Sequence, residues 1–489
     1  MRRRTIFVLM FIIMLSHFSC NEYMELIPPE GLIREEFWKN QSDVESVLMA
    51  AYQRFAALDE MLFVFGEVRA DMVVGDVNQN NRERLLAESN IYSDNNISNW
   101  WDYYRVINNC NEVIKNAVIV QEIDKTFSDF ERLGLESEAY FLRSLMYFYL
   151  VRLYKEVPLV LEPTESDDAD FYKVKSSEET ILDQIVSDLE ANRQFAPNGG
   201  FTSIQDNKGR ASKAAFDALL ADIALWRFDY EAVVRHVEKI ELTKQYVLMP
   251  SFRWFELYYP GNSLESIMEF QFDNSLGQNN GTYGLTNNNA KQYKPSQKAL
   301  ELLSSDFTSE IIRGEDASIA KIGEDEFIIW KYVGRAPDGN STRSGSDQQS
   351  CNWIVYRYAD VLLMKAEALS QIERYDEARV TIQMVRSRAG VPPLVITDSP
   401  AAFEDAILTE RARELCFEGK RWFDLLRMGR RNNYARKSKL IEIIVSNVPS
   451  TQKRILAVKL SDPLGWYLPI FDEETERNKF LVQNPFYDN

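Results

Sequence analysis

Helical periodicity recurs along most of this chain, and two of its segments share one helix-turn-helix design. In the first, a helix carrying Ala224 turns at residues 228–230 and a second helix follows. In the other, Ala368 precedes a turn at 375–377 and a further helix. Small residues let two helices approach closely, while an aromatic side chain fills the wedge at the turn, as in tetratricopeptide repeats. The pattern predicts a mainly α fold of tetratricopeptide-like helical repeats, an α-α superhelix.

Amphipathic patterns predict helices along the rest of the chain. Ser42 and Glu45 have the spacing of a capping box for a first helix that continues through Phe55. The other predicted helices cover residues 99–120, 136–154, 178–192, 212–225, 230–241, 358–372, 375–388 and 402–428. Strand-like patterns are few and short, at 266–272, 327–333 and 456–460.

The two helix pairs are separated in sequence by a loop-rich insertion, residues 271–351. Its first part, 271–297, is rich in asparagine and glycine and contains Tyr283 and Tyr293. Loops of this length are usually either functional or disordered. The insertion therefore predicts an interrupted repeat array with few short strands and a candidate binding loop.

The first twenty residues have the layout of a secretory leader. Three arginines at 2–4 precede an apolar run at 5–15, and a small residue stands directly before Cys20. The run of about eleven residues is too short to cross a membrane. A thiol at this place can accept a lipid, which predicts a leader at 1–19 and a lipidated tether at 20–35. His17 stands where such signals usually have leucine, so the alternative is a cleaved leader with an incidental cysteine.

Charge and composition exclude several classes of function. The chain carries a formal charge of −18, and removal of a leader with three arginines and no acidic residue leaves −21. That charge argues against nucleic acids and polyanionic ligands. His236 is the one histidine outside the leader, which excludes His-based metal sites and Ser/His/Asp triads. The spacing of Cys110, Cys351 and Cys416 indicates buried free thiols.

Carboxylates recur at every fourth residue of the predicted helix 402–428. Glu410, Glu414 and Glu418 share one face, and arginines at spacings of three or four can pair with them or with Asp424, namely Arg413, Arg421 and Arg427. Ion pairs of this kind orient a helix. A glycosidase needs two carboxylates that face one sugar from independent positions. We therefore predict no catalytic residue.

Sugars offer apolar C–H faces to aromatic rings and hydroxyls to amides and carboxylates. Exposed rings and the polar groups beside them are therefore candidate ligand contacts. These candidates are Asp71, Asn80, Trp100, Trp101, Tyr104, Tyr283 and Tyr293. Core packing is the alternative for the tryptophans, and adjacent helical positions face about 100° apart, so at least one ring is expected to be buried. The acidic run 162–170 could hold a structural calcium ion, although a solvated loop is the alternative. No other metal or cofactor is predicted.

Short motifs occur in order from one end of the chain to the other. They include NEVI at 111–114, EAYFLRS at 138–144, LVRLY at 150–154, VPL at 157–159, YRYADVLLM at 356–364, VRSRAG at 385–390, ERAREL at 410–415, FEG at 417–419, YLPI at 467–470 and QNPFY at 483–487. In this series the chain resembles the RagB/SusD family of outer-membrane nutrient-binding lipoproteins. Lys155, Asp360 and Phe486 depart from the residues common in that family, at turns and helix surfaces.

The resemblance implies a non-enzymatic protein, lipid-anchored at the outer membrane and exposed at the cell surface. It would bind a nutrient, an oligosaccharide or polysaccharide, and pass it to a TonB-dependent transporter of the SusC type. It also implies ligand contacts in the loop 69–81 and at the start of helix 99–120, and a division into regions 36–250 and 251–489. The alternatives are a peptide-binding member of the same family, a surface glycoside hydrolase, and a helical scaffold that binds protein alone.

Overall fold

The computed structural model describes residues 37–164, 172–287, 289–306, 312–336 and 341–488. The predicted leader, Cys20 and the tether 20–35 lie outside these ranges, as does most of the acidic run 162–170. The described residues form nineteen α-helices and six short strands, which confirms the mainly α class. Across these ranges, every helix is too short or too polar to traverse a lipid bilayer.

Most of the N-terminal helices begin at polar capping residues. Asn40 and Asp43 form the capping box of the first helix, two residues before the predicted pair Ser42 and Glu45. The helices of this half are α1 Gln41–Ala56, α2 Asp59–Glu67, α3 Asn81–Ala87, α4 Trp101–Ile123, α5 Asp129–Tyr154, α6 Glu178–Asn192, α7 Ile204–Gly209, α8 Lys213–Trp226 and α9 Tyr230–Leu242.

The C-terminal helices correct two predictions. The pattern at 402–428 is two helices, because Phe417 and Gly419 adopt left-handed φ angles of 67° and 71° between them. The predicted strand 456–460 is helical. The helices are α10 Gly281–Thr286, α11 Gln297–Leu303, α12 Gly345–Gln349, α13 Tyr358–Gln371, α14 Tyr375–Arg388, α15 Pro400–Glu414, α16 Arg421–Tyr434, α17 Lys437–Ser446, α18 Ser450–Leu460 and α19 Asp472–Arg477.

Strands pair in three antiparallel ladders of two strands each within the described residues. The strands are β1 Val73–Gly75, β2 Ser266–Phe270, β3 Tyr293–Pro295, β4 Ile319–Lys321, β5 Phe327–Ile329 and β6 Trp353–Arg357. The ladders join β1 to β3, β2 to β6 and β4 to β5. Phe270 faces Trp353 at the end of the β2–β6 ladder, so the insertion leaves and re-enters the helical body at one place.

The two similar helix pairs pack against each other in space. They are the hairpins α8–α9 and α13–α14, and α9 packs directly on α13 across the intervening sequence. Each hairpin turns through one left-handed residue, Phe228 or Glu373, two positions before its second helix. Tyr375 at the second turn stacks on Phe403 of α15, with ring centroids 5.3 Å apart. The insertion therefore does not interrupt this helix stack, contrary to the prediction.

The remaining long helices extend the same stack on both sides. Helix α1 packs on α4, α4 on α5 and α5 on α6, while α15 follows α13 and α16 follows α15. Buried side chains of the predicted regions 36–250 and 251–489 belong to one continuous hydrophobic core. Arg69 ties the two regions together, because its guanidinium donates to the carbonyls of Gly465 and Trp466 over 2.9 and 2.6 Å.

A buried network of ion pairs holds the insertion against α15. At its centre Arg357 donates to Glu265, Glu414 and Glu418 over 2.6 to 2.9 Å. The surrounding cations are Arg313, Lys331, Arg386 and Arg388. Burial raises the pKa of Glu414, but the charges of Arg388, Arg357 and Arg313 outweigh it and hold that pKa well below its ordinary value.

The network corrects the predicted partners of the repeated carboxylates. Glu410, Glu414 and Glu418 pair with cations that are distant in sequence, and Glu418 lies beyond the end of α15. The local prediction holds for Arg427 and Asp424, whose charged groups are 3.0 Å apart. Because all three glutamates are buried and paired, they have the structural role that was predicted for them.

Helix α2 ends against the turn between α15 and α16. Gly66 touches this turn so closely that a Cβ atom placed on it would lie 2.0 Å from the carbonyl oxygen of Gly419. Glu67 accepts the backbone N–H groups of Gly419 and Lys420 over 2.9 and 3.2 Å. Burial raises the pKa of Glu67 to about 8, and the two backbone hydrogen bonds only partly oppose that rise.

The raised pKa of Glu67 predicts a stability that falls as the pH rises. Unfolded Glu67 loses its proton near the ordinary value of 4.5, whereas the folded carboxyl keeps it up to about pH 8. Between these pH values folding is coupled to the uptake of a proton, so the free energy of unfolding decreases as the pH rises. Glutamine does not titrate. We therefore expect the free energy of unfolding of Glu67→Gln, relative to that of the wild type, to rise by on the order of 3 kcal/mol between about pH 5 and about pH 8. Urea unfolding at both pH values measures the gap; a gap independent of pH would contradict the raised pKa.

Candidate ligand-binding site

An open groove of about 490 Å³ lies along the first turns of α4. Its walls come from α1, α4, α19 and the segment 158–164. We call it the Trp101 groove, and its principal lining side chains are Arg54, Trp101, Tyr104, Asn108, Asn109 and Glu474. It therefore combines aromatic rings, amides and charged groups on one concave surface.

The start of α4 divides its two tryptophans between the core and the groove. Asn99 accepts the backbone N–H of Trp101 over 2.7 Å, which fixes the first turn. Trp100 is 4% exposed and packs edge-on against Tyr104 and Tyr154, whereas Trp101 is 53% exposed. The expectation that at least one ring is buried is confirmed. Trp100 supports the groove, and Trp101 presents its ring to solvent.

Hydrogen bonds from α4 fix the opposite wall. The Tyr104 hydroxyl donates to the Pro158 carbonyl over 2.7 Å, and Asn108 accepts the backbone N–H of Thr164 over 2.8 Å. Asn111 donates to the carbonyls of Val160 and Glu162. The wall is therefore rigid before any ligand arrives, which lowers the conformational cost of binding.

Three polar side chains remain available to a ligand. Within the described part of the chain, the side chains of Arg54 and Asn109 form no hydrogen bond or ion pair. Burial raises the pKa of Glu474, and a hydrogen bond with the Trp100 side chain partly offsets that rise. A guanidinium, an amide and a carboxylate thus line the same groove as the exposed ring of Trp101. Such groups can serve hydroxyls both as donors and as acceptors.

The structure buries the side chain of Asp71 in an ion pair. Its side chain is buried, and its two oxygens accept from Arg421 over 2.6 and 2.8 Å. Asn80 is exposed, and its side chain caps α3 by accepting the N–H of Arg82. The choice of Asp71 as a ligand contact is therefore corrected, because the carboxylate serves a buried ion pair. Asn80 stays a prediction.

The insertion tyrosines lie apart from the groove. Tyr293 is buried in β3, opposite Gly75 of β1, and its hydroxyl donates to Glu83. That burial corrects its choice as a ligand contact. Tyr283 is half-buried in α10, and its contact with a ligand stays a prediction. The β1–β3 ladder joins the predicted loop 69–81 to the insertion stretch 271–297, while Trp101 and Tyr104 form a separate site.

The sequence predictions missed Arg54, Asn109 and Glu474 as members of the groove. Arg54 and Glu474 come from α1 and α19, at opposite ends of the chain, so no local pattern connects them to Trp101. Asn108 could have been found, because it follows Trp101 by seven residues and Tyr104 by four. Those spacings place all three side chains on one helix face.

The other reactive residues show ordinary surroundings. Cys110, Cys351 and Cys416 are buried free thiols, as predicted, and burial raises the pKa of Cys110 to about 12. His236 is buried beside Asp217, 3.1 Å from its carboxylate. Among the residues that the structure describes, no three His, Cys, Asp or Glu side chains are grouped to hold a metal ion. The calcium prediction for 162–170 lies largely outside the described residues and stays a prediction.

Two family models match the chain. The model described as "SusD family" matches residues 271–487, and the model described as "Starch-binding associating with outer membrane" matches residues 22–225. SusD-like protein P38 from Formosa agariphila is 27% identical, in an alignment that covers 90% of this chain and 92% of the relative. The two models together extend over most of the chain.

Solved structures share this fold at low sequence identity. Surface glycan-binding protein A from Bacteroides uniformis superposes with a TM-score of 0.75 at 20% identity, over 91% of this chain and 100% of its own. A laminarin-binding SusD-like protein superposes with a TM-score of 0.73 at 20% identity, over 92% of this chain and 100% of its own. These likenesses show that the helical architecture is shared.

Proposed function

The chain belongs to the SusD/RagB family, and from that membership we propose that it is a non-enzymatic outer-membrane lipoprotein that binds a glycan and delivers it to a transporter. The proposed ligand site is the Trp101 groove. One observation carries the assignment: a tryptophan that is 53% exposed lines the groove together with a guanidinium and an amide that have no hydrogen-bond or ion-pair partner among the described residues. This is the combination that a sugar face and its hydroxyls require.

The relatives support a saccharide as the ligand. Two of the proteins that share this fold are named for binding laminarin and surface glycan. The N-terminal family model is described as starch-binding. A peptide is the alternative cargo.

The groove chemistry supports binding without catalysis. Glu474 is the one carboxylate among the described residues that line it. Hydrolysis of a glycosidic bond uses two carboxylates that face the same sugar. The carboxylates of Glu410, Glu414 and Glu418 are buried in ion pairs and cannot reach a polysaccharide.

We further propose that Cys20 carries the lipid that anchors the protein, and that the outer membrane is its location. The basic, apolar and small residues of 1–20 support the anchor, and the description of the N-terminal family model supports the location. A TonB-dependent transporter of the SusC type is the proposed partner, because the family resemblance implies it.

The test is a titration of the purified protein with starch, laminarin, xylan, pectin and a casein digest. We expect one polysaccharide to bind and Trp101→Ala to weaken it about thirtyfold, since loss of a ring that covers a sugar costs about 2 kcal/mol. The matched control is Phe252→Ala, which removes a ring that is 85% exposed outside the groove. Isothermal titration calorimetry measures both variants.

Three results would contradict the proposal. Binding of the casein peptides alone would replace a glycan with a peptide as cargo. Equal affinity in Trp101→Ala and wild type would remove the groove as the site. Release of new reducing ends from a polysaccharide would show catalysis.

A further inference from the structure

A second pair of exposed aromatic rings stands near the Trp101 groove. Tyr172 and Phe480 are 57% and 59% exposed, and their ring centroids are 6.1 Å apart in an edge-to-face arrangement. Val174 and Val482 are exposed beside them in sequence. Large apolar side chains grouped at a surface in this way commonly mark a binding site.

One buried amide fixes the two backbone segments that carry these rings. The Asn478 side chain donates to the Lys173 carbonyl over 2.7 Å and accepts the backbone N–H of Phe480 over 3.0 Å. Asn478 itself is buried. The residue thus joins the positions next to Tyr172 and at Phe480, and so it sets the arrangement of the ring pair before any ligand is present.

Backbone and side-chain hydrogen bonds link the ring pair to the α19 side of the Trp101 groove, because the Asn478 N–H donates to the Glu474 carbonyl over 2.9 Å and the Phe480 N–H donates to the Asn478 side chain. Glu474 lines the groove, and Asn478 follows it by four residues at the end of α19, about 6 Å farther along the helix axis. The α19 side of the groove therefore leads toward the ring pair.

We propose that Tyr172 and Phe480 form a second aromatic subsite for the saccharide chain that occupies the Trp101 groove. The inference rests on the proposed function and adds a property to it, a preference for long, linear chains. A short oligosaccharide would fill the groove alone. A longer one would also place a sugar face against the ring pair, which adds contact area without a second association step.

A saccharide fits this surface better than a protein partner does. Two rings and two valines offer far less than the roughly 800 Å² that each partner contributes to a standard protein interface. The continuity with the groove through α19 also favours one extended ligand over two separate ones. A protein partner is the competing outcome of the test.

The experiment measures how affinity depends on ligand length. The probes are oligosaccharides, from disaccharide to octasaccharide, of the polysaccharide in the panel that binds most tightly. We compare the wild type with the double variant Tyr172→Ala/Phe480→Ala, with Trp101→Ala, and with the exposed-ring control Phe252→Ala. We expect the double variant to bind the octasaccharide about tenfold more weakly and the disaccharide unchanged.

The outcomes separate the second subsite from the groove. Loss of affinity in Trp101→Ala at every length, with no length-dependent loss in the double variant, would overturn the second subsite and leave the proposed function standing. Equal losses at all lengths in the double variant would indicate a disturbed groove and would also overturn it. Failure of every saccharide to bind would overturn both. Thermal unfolding of the variants controls for folding, because exposed rings contribute little to the core.

Discussion

Arg357→Met is expected to lower the free energy of unfolding by about 4 kcal/mol, the cost of breaking a buried ion pair by removal of one partner. The guanidinium of Arg357 is almost fully buried and contacts three carboxylates at once, those of Glu265, Glu414 and Glu418. Methionine fills a similar volume but returns none of these hydrogen bonds. The carboxylates then keep their desolvation cost with less compensation, and the folded state loses stability. Urea denaturation at neutral pH measures the change.

The matched control is Arg379→Met on the surface of α14. Arg379 pairs with Asp376 and Asp398, whose side chains are largely exposed. Water replaces those contacts, so a change within about 1 kcal/mol is expected. Similar losses in the two variants would mean that burial does not set the strength of the central network.

The second large effect is expected at Gly66. Alanine at this position would place its Cβ 2.0 Å from the carbonyl oxygen of Gly419, and backbone lies on both sides of the contact. Helix α2 must move away from the turn, which also disturbs the hydrogen bonds of Glu67. We expect Gly66→Ala to destabilise the protein by about 3 kcal/mol, as overpacking of a tight contact does.

Gly134 provides the comparison, because it lies inside α5 with nothing within 4 Å of an added Cβ. Alanine there removes the backbone freedom of glycine and adds no clash, so Gly134→Ala is expected to stabilise the protein by about 0.5 to 1 kcal/mol. Opposite signs in the two variants, measured by thermal and urea unfolding, test the contact. A neutral Gly66→Ala would show that α2 can shift without cost.

Features decided by nearby residues were predictable. The helices α6 Glu178–Asn192 and α14 Tyr375–Arg388 have the predicted bounds, because each has a clear apolar face. The burial of one of the two adjacent tryptophans was also predictable from local geometry, since helical spacing alone turns Trp100 and Trp101 in different directions. Where the start of a helix depends on a cap outside the apolar pattern, the prediction was late. Ser128 and Glu131 cap α5 ahead of its predicted first residue.

At 456–460 the sequence prediction mistook a helix, with buried residues four positions apart, for a strand, in which buried residues alternate every two positions. Leu456, Val458 and Leu460 alternate like a strand, but in α18 Leu456 and Leu460 are buried four residues apart while Val458 is exposed. The alternation was accidental, and the packing of α18 on α17 decided the structure. Short apolar runs carry too little information to separate the two cases.

Long-range partners were beyond sequence patterns. The carboxylate of Asp71 and the ring of Tyr293 looked exposed because their neighbours are polar, but Arg421 and Glu83 bind them in the interior. Arg54 reached the groove from another helix. Such pairings depend on the tertiary arrangement, which no spacing along a single segment reveals.

The β2–β6 ladder has a consequence for any attempt to exchange loops between relatives. Since Phe270 faces Trp353, a short connection could geometrically bridge the two strands and replace the whole insertion. However, Arg313 and Lys331 belong to the insertion, and they are counter-ions of Glu410, Glu414 and Glu418 in the helical body. A transplanted loop must therefore bring its own buried cations, so the loop and the scaffold are constrained to change together.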